Sequence, residues 1–281
     1  MNNPQSWYNC NISTKLFING FIELLRNKLN NNLIGVYLHG SLAMDCYFPP
    51  KSDIDIIAVV NEKIMPLLAK SLNISIAKYS DSREIIGDLE FSIITKDTAK
   101  NVPKNIPYEI HYSESQYDKI LNDEIKYDEE KYDNDLFSHL MYVKNRGICL
   151  FGQSINEVFG DVNWEIFLKS VFEDLDFILS DENIHKSPIY GVLNICRVLK
   201  LMTTEDKLIQ NKYEGGKWGI ENLPKEYIPL IEKTLEVYCS NTIIDRNESK
   251  TGVIVWNKNE LNQFCEYVKK KKGEYFIKYS K

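Results

Sequence analysis

Apolar residues along this chain change period twice, and the changes divide it. Phe17, Phe21, Leu24, Leu25 and Leu29 fall on one side of a helix over residues 14–30, with Ser13 or Thr14 placed to cap it. Residues 34–38 and 53–60 are apolar runs of strand length, and Pro49-Pro50 between them blocks any helix. Pro66, near the start of IMPLLAKSLNISIAKY, suits the first turn of a helix over 64–79. DLEFSIIT at 88–95 and the stretch 108–113 read as two further strands. Leu136, Leu140 and Val143 place a helix across 134–146, ended by Gly147, and the run 148–152 closes the first domain.

Beyond residue 160 the pattern is helical only. Trp164, Phe167, Leu168, Val171, Phe172 and Leu175 form one apolar face, and Val192, Cys196 and Leu199 form another after Pro188. The fold class predicted is α+β: residues 1–160 form a domain with a mixed β-sheet flanked by helices, and residues 161–281 form an all-α bundle. No repeat or long low-complexity linker intervenes, so the two domains are expected to pack closely around a cleft. Gly215 and Gly216 with Trp218 read as a turn packed on the bundle, with Trp218 in the core.

Composition narrows the class. A chain of 281 residues, 43% hydrophobic and 26% charged, has the balance of a soluble globular protein. No apolar run approaches the ~20 residues that span a bilayer, and the N-terminus lacks a basic segment followed by an apolar core. A cytoplasmic monomer with no membrane partner is expected. Six cysteines are scattered without a CxxC pair, which predicts reduced, mostly buried thiols rather than a zinc site or a disulfide framework. The net charge of −6 weighs against a nucleic-acid polymer as partner and suits a cationic small molecule. The basic run 269–272 reads as a solvated helix end.

Candidate chemistry lies in GVYLHGSLAMDCYFPPKSDIDIIAVV, residues 35–60. Alternation along a strand sends Asp53 and Asp55 to the same side while the isoleucines and valines between and after them are buried. Two carboxylates on one strand suit Mg²⁺, which takes one or two carboxylates together with substrate phosphates. Gly40 lets a backbone approach a phosphate closely, and Ser41, starting a short helix, offers a hydroxyl and an N–H. Glu90, third in its run, is a candidate third acid if its strand lies beside that of Asp53 and Asp55. His111 reads as a hydrogen-bonded structural residue rather than a base.

Gly40-Ser41 followed by Asp53-Ile54-Asp55 resembles the signature of the DNA polymerase β-like nucleotidyltransferases, and within them the streptomycin/spectinomycin adenylyltransferases. The resemblance extends to Arg197 in LNICRVL and to Lys212 in NKYEGGKWGI. It implies ATP as co-substrate and Mg²⁺ as cofactor, with Asp53 and Asp55 as metal ligands and Glu90 as the base for the acceptor hydroxyl. Gly40 and Ser41 would seat the triphosphate, and Arg197 and Lys212 would neutralise it. The implied partner is a small cationic aminoglycoside or aminocyclitol, with Asp181 and Glu182 as its candidate contacts. Where dual-specificity members carry a tryptophan before the arginine helix, residues 177–187 have none, which favours spectinomycin over the larger streptomycin. Acceptors of another drug class, a protein hydroxyl as in toxin–antitoxin nucleotidyltransferases, and a nucleotide-binding sensor without catalysis are the alternatives.

Overall fold

The first helix starts slightly earlier than its apolar spacing predicts. α1 spans Ile12–Leu29 in a computed structural model that describes residues 3–49, 52–83, 87–180, 182–204, 206–240 and 254–279. Its cap is Asn11, whose side chain accepts the Thr14 N–H at 2.9 Å, so Ser13 and Thr14 lie inside the helix. Asparagine caps at least as well as either, and periodicity alone does not register that. β1 (Leu33–His39) leads into the single turn α2 (Gly40–Ala43), and β2 (Ile54–Val60) follows. α3 (Pro66–Ser80) carries Pro66 in its first turn as expected, and β3 is Leu89–Thr95. α4 (Lys96–Asn101) is capped by Thr95.

The predicted strand at 108–113 is two strands. β4 (Pro107–Tyr108) pairs with β6 (Lys131–Tyr132), whereas β5 (Ile110–Tyr112) pairs with β3. At the break, the Glu109 N–H donates to the Ile93 carbonyl at 2.8 Å. α5 (Tyr117–Leu121) lies between β5 and β6. α6 (Leu136–Arg146) ends at Gly147, β7 (Ile148–Gly152) forms a sheet edge, and α7 is Ile155–Val158.

The main sheet has the order β5-β3-β2-β1-β7, with β2 and β3 parallel and the other pairs antiparallel. Period-two alternation splits its side chains between two cores. Ile54, Ile56, Ala58 and Val60 of β2 pack with α1 and α3 through Phe21, Leu25, Leu72 and Ile76. Ile57 and Val59, on the opposite face, pack with Leu136, Leu140 and Val143 of α6. This is the mixed sheet flanked by helices that the strand and helix periods predict.

The chain divides into two compact units, Pro4–Ser170 and the residues beyond 170, the division falling within α8 (Trp164–Leu179). The second unit is helical: α9 (Asn183–Lys186), α10 (Pro188–Thr203), α11 (Lys212–Asn222), α12 (Ile228–Tyr238) and α13 (Lys258–Tyr279). α10 is its buried axis, with Val192, Leu193, Ile195, Cys196 and Leu199 all enclosed.

Gly215 and Gly216 sit inside α11 rather than in a turn, and the reason is steric. A Cβ at Gly215 would lie 2.5 Å from Arg197 Cγ, one at Gly216 2.7 Å from Leu235, and one at Gly219 2.8 Å from Cys196 Sγ. The three glycines therefore permit a helix-to-helix approach that side chains would prevent, and that approach outweighs their poor helix propensity. Trp218 is only half-buried and is no core residue. The lysine run also falls inside a helix: Lys269 pairs with Glu266, Lys271 with Glu274 and Lys272 with Asp176. All six cysteines are free thiols, and of these Cys149 alone is exposed. No described helix is long and apolar enough to cross a membrane.

Candidate active site

Strand register brings the predicted acids together. His39 of β1 pairs with Asp55 of β2, and Asp55 pairs with Glu90 of β3. The three residues form a row across adjacent strands, on the face of the sheet that α6 covers, since their neighbours Leu38, Ile54, Ile56, Leu89 and Phe91 occupy the opposite core. Asp53, just ahead of β2, is exposed, and Asp55 is half-buried. The loop before β3 fixes this start of β2: the Asp88 N–H donates to Asp53 Oδ1 at 2.9 Å, and the Ile54 N–H donates to the Asp88 carbonyl at 2.7 Å. A Cβ at Gly87 would come within 1.9 Å of the Ser52 carbonyl oxygen, so glycine is what allows the loop to lie there. Arg83, 12% exposed, stands 3.6 Å from Asp88 and 3.1 Å from Glu114.

The Gly40-Ser41 turn meets the same row. Gly40 has φ +65°, and a Cβ built on it would lie 1.8 Å from Asp55 Oδ2, so the carboxylate rests directly over the glycine α-carbon. Any side chain at position 40 would both strain the backbone and displace Asp55. Ser41 follows Gly40 in the single turn of α2, and its Oγ is buried without a hydrogen-bond partner among the described residues. A buried hydroxyl left unsatisfied costs stability, and a polar ligand at this turn would satisfy it.

These residues fit a divalent cation shared with a phosphate. No group of three or more His, Cys, Asp or Glu side chains able to hold a metal occurs among the described residues. A cation on Asp53 and Asp55 therefore needs further oxygens from a ligand, the arrangement usual for Mg²⁺ with nucleotides.

Two histidines at this face were not singled out from the sequence. His39 is 2% exposed, and burial, reinforced by the neighbouring His139, holds its pKa well below that of an ordinary imidazole. His139 of α6 lies over it with ring centroids 4.8 Å apart and approaches Glu90 Oε1 to 3.6 Å through Nε2. The available signal was the alternation of His39 with Tyr37, which puts it on the side of the acids; nothing local marks His139. His111 accepts or donates a 3.0 Å hydrogen bond with Ser92 Oγ and is shifted downward by burial, in keeping with a structural residue.

Arg197, Lys212 and Glu182 belong to the helical unit. Arg197 is half-buried on α10, donating from Nε to the Gln210 carbonyl at 2.9 Å and from a terminal nitrogen to Asn194 Oδ1 at 2.7 Å. Lys212 opens α11, its ammonium 5.0 Å above the Tyr190 ring, beside a capping box formed by Asn211 and Glu214. A cation at a helix N-terminus opposes the macrodipole, a local cost that a bound anion would relieve. Glu182 is exposed, at φ +59° ahead of α9. Asp181 lies outside the described residues.

Residues 157–271 match the family described as the C-terminal domain of aminoglycoside adenylyltransferase, and Arg197, Lys212 and Glu182 fall within that stretch. A spectinomycin 9-adenylyltransferase of Enterococcus faecalis is 25% identical over 253 residues, 88% of this chain and 95% of that one. The chain resembles the aminoglycoside adenylyltransferases. An aminoglycoside (3'')(9) adenylyltransferase of Klebsiella pneumoniae is likewise 25% identical, over 92% of this chain and 94% of its own. The fold of an adenylyltransferase is shared too. The crystal structure of the spectinomycin adenyltransferase AAD(9) from Enterococcus, with ATP and spectinomycin, superposes with a TM-score of 0.72 at 21% identity, covering 92% of this chain and 98% of that one.

Proposed function

We propose that this chain transfers AMP from ATP to a hydroxyl of an aminocyclitol or aminoglycoside antibiotic, with spectinomycin preferred over streptomycin. The observation that carries the reading is the row of Asp55 and Glu90 in register on parallel strands, with Asp53 and the Gly40-Ser41 turn at the same end. The named activities of the relatives point the same way.

The acceptor oxygen attacks the α-phosphorus of ATP, the bond from that phosphorus to the bridging oxygen breaks, and pyrophosphate departs. Glu90 takes the proton of the attacking hydroxyl, as a positioned general base must. Asp53 and Asp55 would hold Mg²⁺, whose charge would offset that of the phosphates. Ser41 donates its otherwise unpartnered hydroxyl to the triphosphate, and Gly40 keeps Asp55 in place beside it. Arg197 and Lys212 supply fixed cations against the charge that builds on the α-phosphate and on pyrophosphate. Glu182, with Asp181, meets the acceptor's amines.

Expression in a susceptible bacterium tests the reading. Spectinomycin tolerance rises, and the rise disappears with Asp53→Asn, because a neutral amide cannot balance a divalent cation. Tolerance to spectinomycin, streptomycin and other aminoglycosides left unchanged by soluble wild-type protein would overturn it.

A further inference from the structure

Glu90 is 37% exposed at its side chain and carries three rotatable bonds, so its own strand fixes its Cα but not its carboxylate. A base works only within hydrogen-bond reach of the proton it removes, and a misplacement near 1 Å costs as much as ~10²-fold in rate. Something has to hold that carboxylate still.

The group placed to do so is His139. Its helix is anchored in the core by Leu136, Leu140 and Val143, which fixes the histidine backbone. Its ring packs against that of His39, the planes inclined by 41°, and His39 is itself enclosed and kept uncharged by burial. Backed in this way, Nε2 stands 3.6 Å from Glu90 Oε1. That is longer than a formed hydrogen bond, and catalytic hydrogen bonds in ligand-free structures commonly run long and tighten with substrate.

We propose that His139 is a positioning residue for Glu90, donating an Nε2–H to Oε1 so that the other carboxylate oxygen faces the acceptor hydroxyl. The proposal rests on the reading of Glu90 as base. It also gives the buried histidine that ends β1 a part: His39 packs against the His139 ring and limits where that ring can turn. A purely structural account of His139, as a ring filling space over His39, makes the opposite forecast for substitutions.

Two variants separate the accounts. His139→Phe keeps the ring and removes the donor; His139→Gln keeps a donor and removes the ring. With ATP and spectinomycin, pyrophosphate release by His139→Phe falls about tenfold to hundredfold in kcat while KM for ATP stays within about twofold. His139→Gln retains most of the rate. In a Glu90→Gln background, His139→Phe has no further effect, since there is no base left to position. Should His139→Phe not fold, His139→Leu serves the same comparison.

Wild-type kcat in His139→Phe, with Glu90→Gln inactive, overturns the proposal and leaves the base in place. Wild-type kcat in Glu90→Gln removes the base and the proposal with it. A readout independent of the acceptor is the imidazole NMR signal of His139, expected to shift in Glu90→Gln; an unmoved signal also overturns the pairing.

Discussion

Gly40 is the position at which one methyl group reaches the chemistry. Ala in its place brings its Cβ to 1.8 Å from Asp55 Oδ2, which forces that carboxylate to another position, and adopts a positive φ that costs about 1–2 kcal/mol. Gly40→Ala is therefore expected to lose turnover by an order of magnitude or more while denaturant unfolding shows only that modest destabilisation. Turnover unchanged in the variant would mean that the Asp55 carboxylate has no fixed role. His39 makes a different kind of forecast. Its imidazole stays neutral when folded but takes a proton near pH 6.5 when unfolded, so the unfolded chain binds the extra proton as pH falls. Stability is full above that value and declines below it, toward the depressed folded pKa. His111, also lowered by burial, adds in the same direction, so the measurement is a difference. Between pH 7 and pH 5, His39→Phe loses less melting temperature than the wild type; parallel losses would exclude His39 as a contributor.

At the level of elements, strands were more legible than the contacts between them. Alternation alone put Asp53 and Asp55 on one side of a strand, and Glu90, third in DLEFSIIT, was a candidate acid that the family resemblance raised before any register was known. What sequence cannot express is which residues stand opposite each other, so the His39–Asp55–Glu90 row and the approach of His139 from α6 emerge only from pairing and packing. The division of 108–113 between two sheets escaped notice for the same reason, since Glu109 carries no turn signal. α11 failed in another way: local propensity reads Gly215 and Gly216 as a turn, and tertiary proximity overrides it. That override is testable. Gly219→Val forces extra carbon against Cys196 and Ile231 and is expected to cost about 1–3 kcal/mol in urea unfolding, the usual penalty of overpacking. A cost near zero would show that α11 can move aside.

Across the whole molecule the two units carry different kinds of information. The sheet unit holds acids whose meaning is geometric, and the helical unit holds Arg197 and Lys212, which look ordinary locally and gain a proposed role only through the family resemblance. The parallel pairing of β2 and β3 bears on how such proteins diverge. Asp55 and Glu90 are neighbours because backbone hydrogen bonds hold Ile54 to Val60 alongside Leu89 to Thr95, not because of the number of residues between them. The connection that includes α3 can gain or lose surface residues over evolutionary time without moving either carboxylate, whereas a single insertion within β3 ahead of Glu90 would turn it to the opposite core. A sequence pattern with a fixed interval between the acid pair and the third acid would miss working enzymes; one that leaves the interval open and requires the strand would find them.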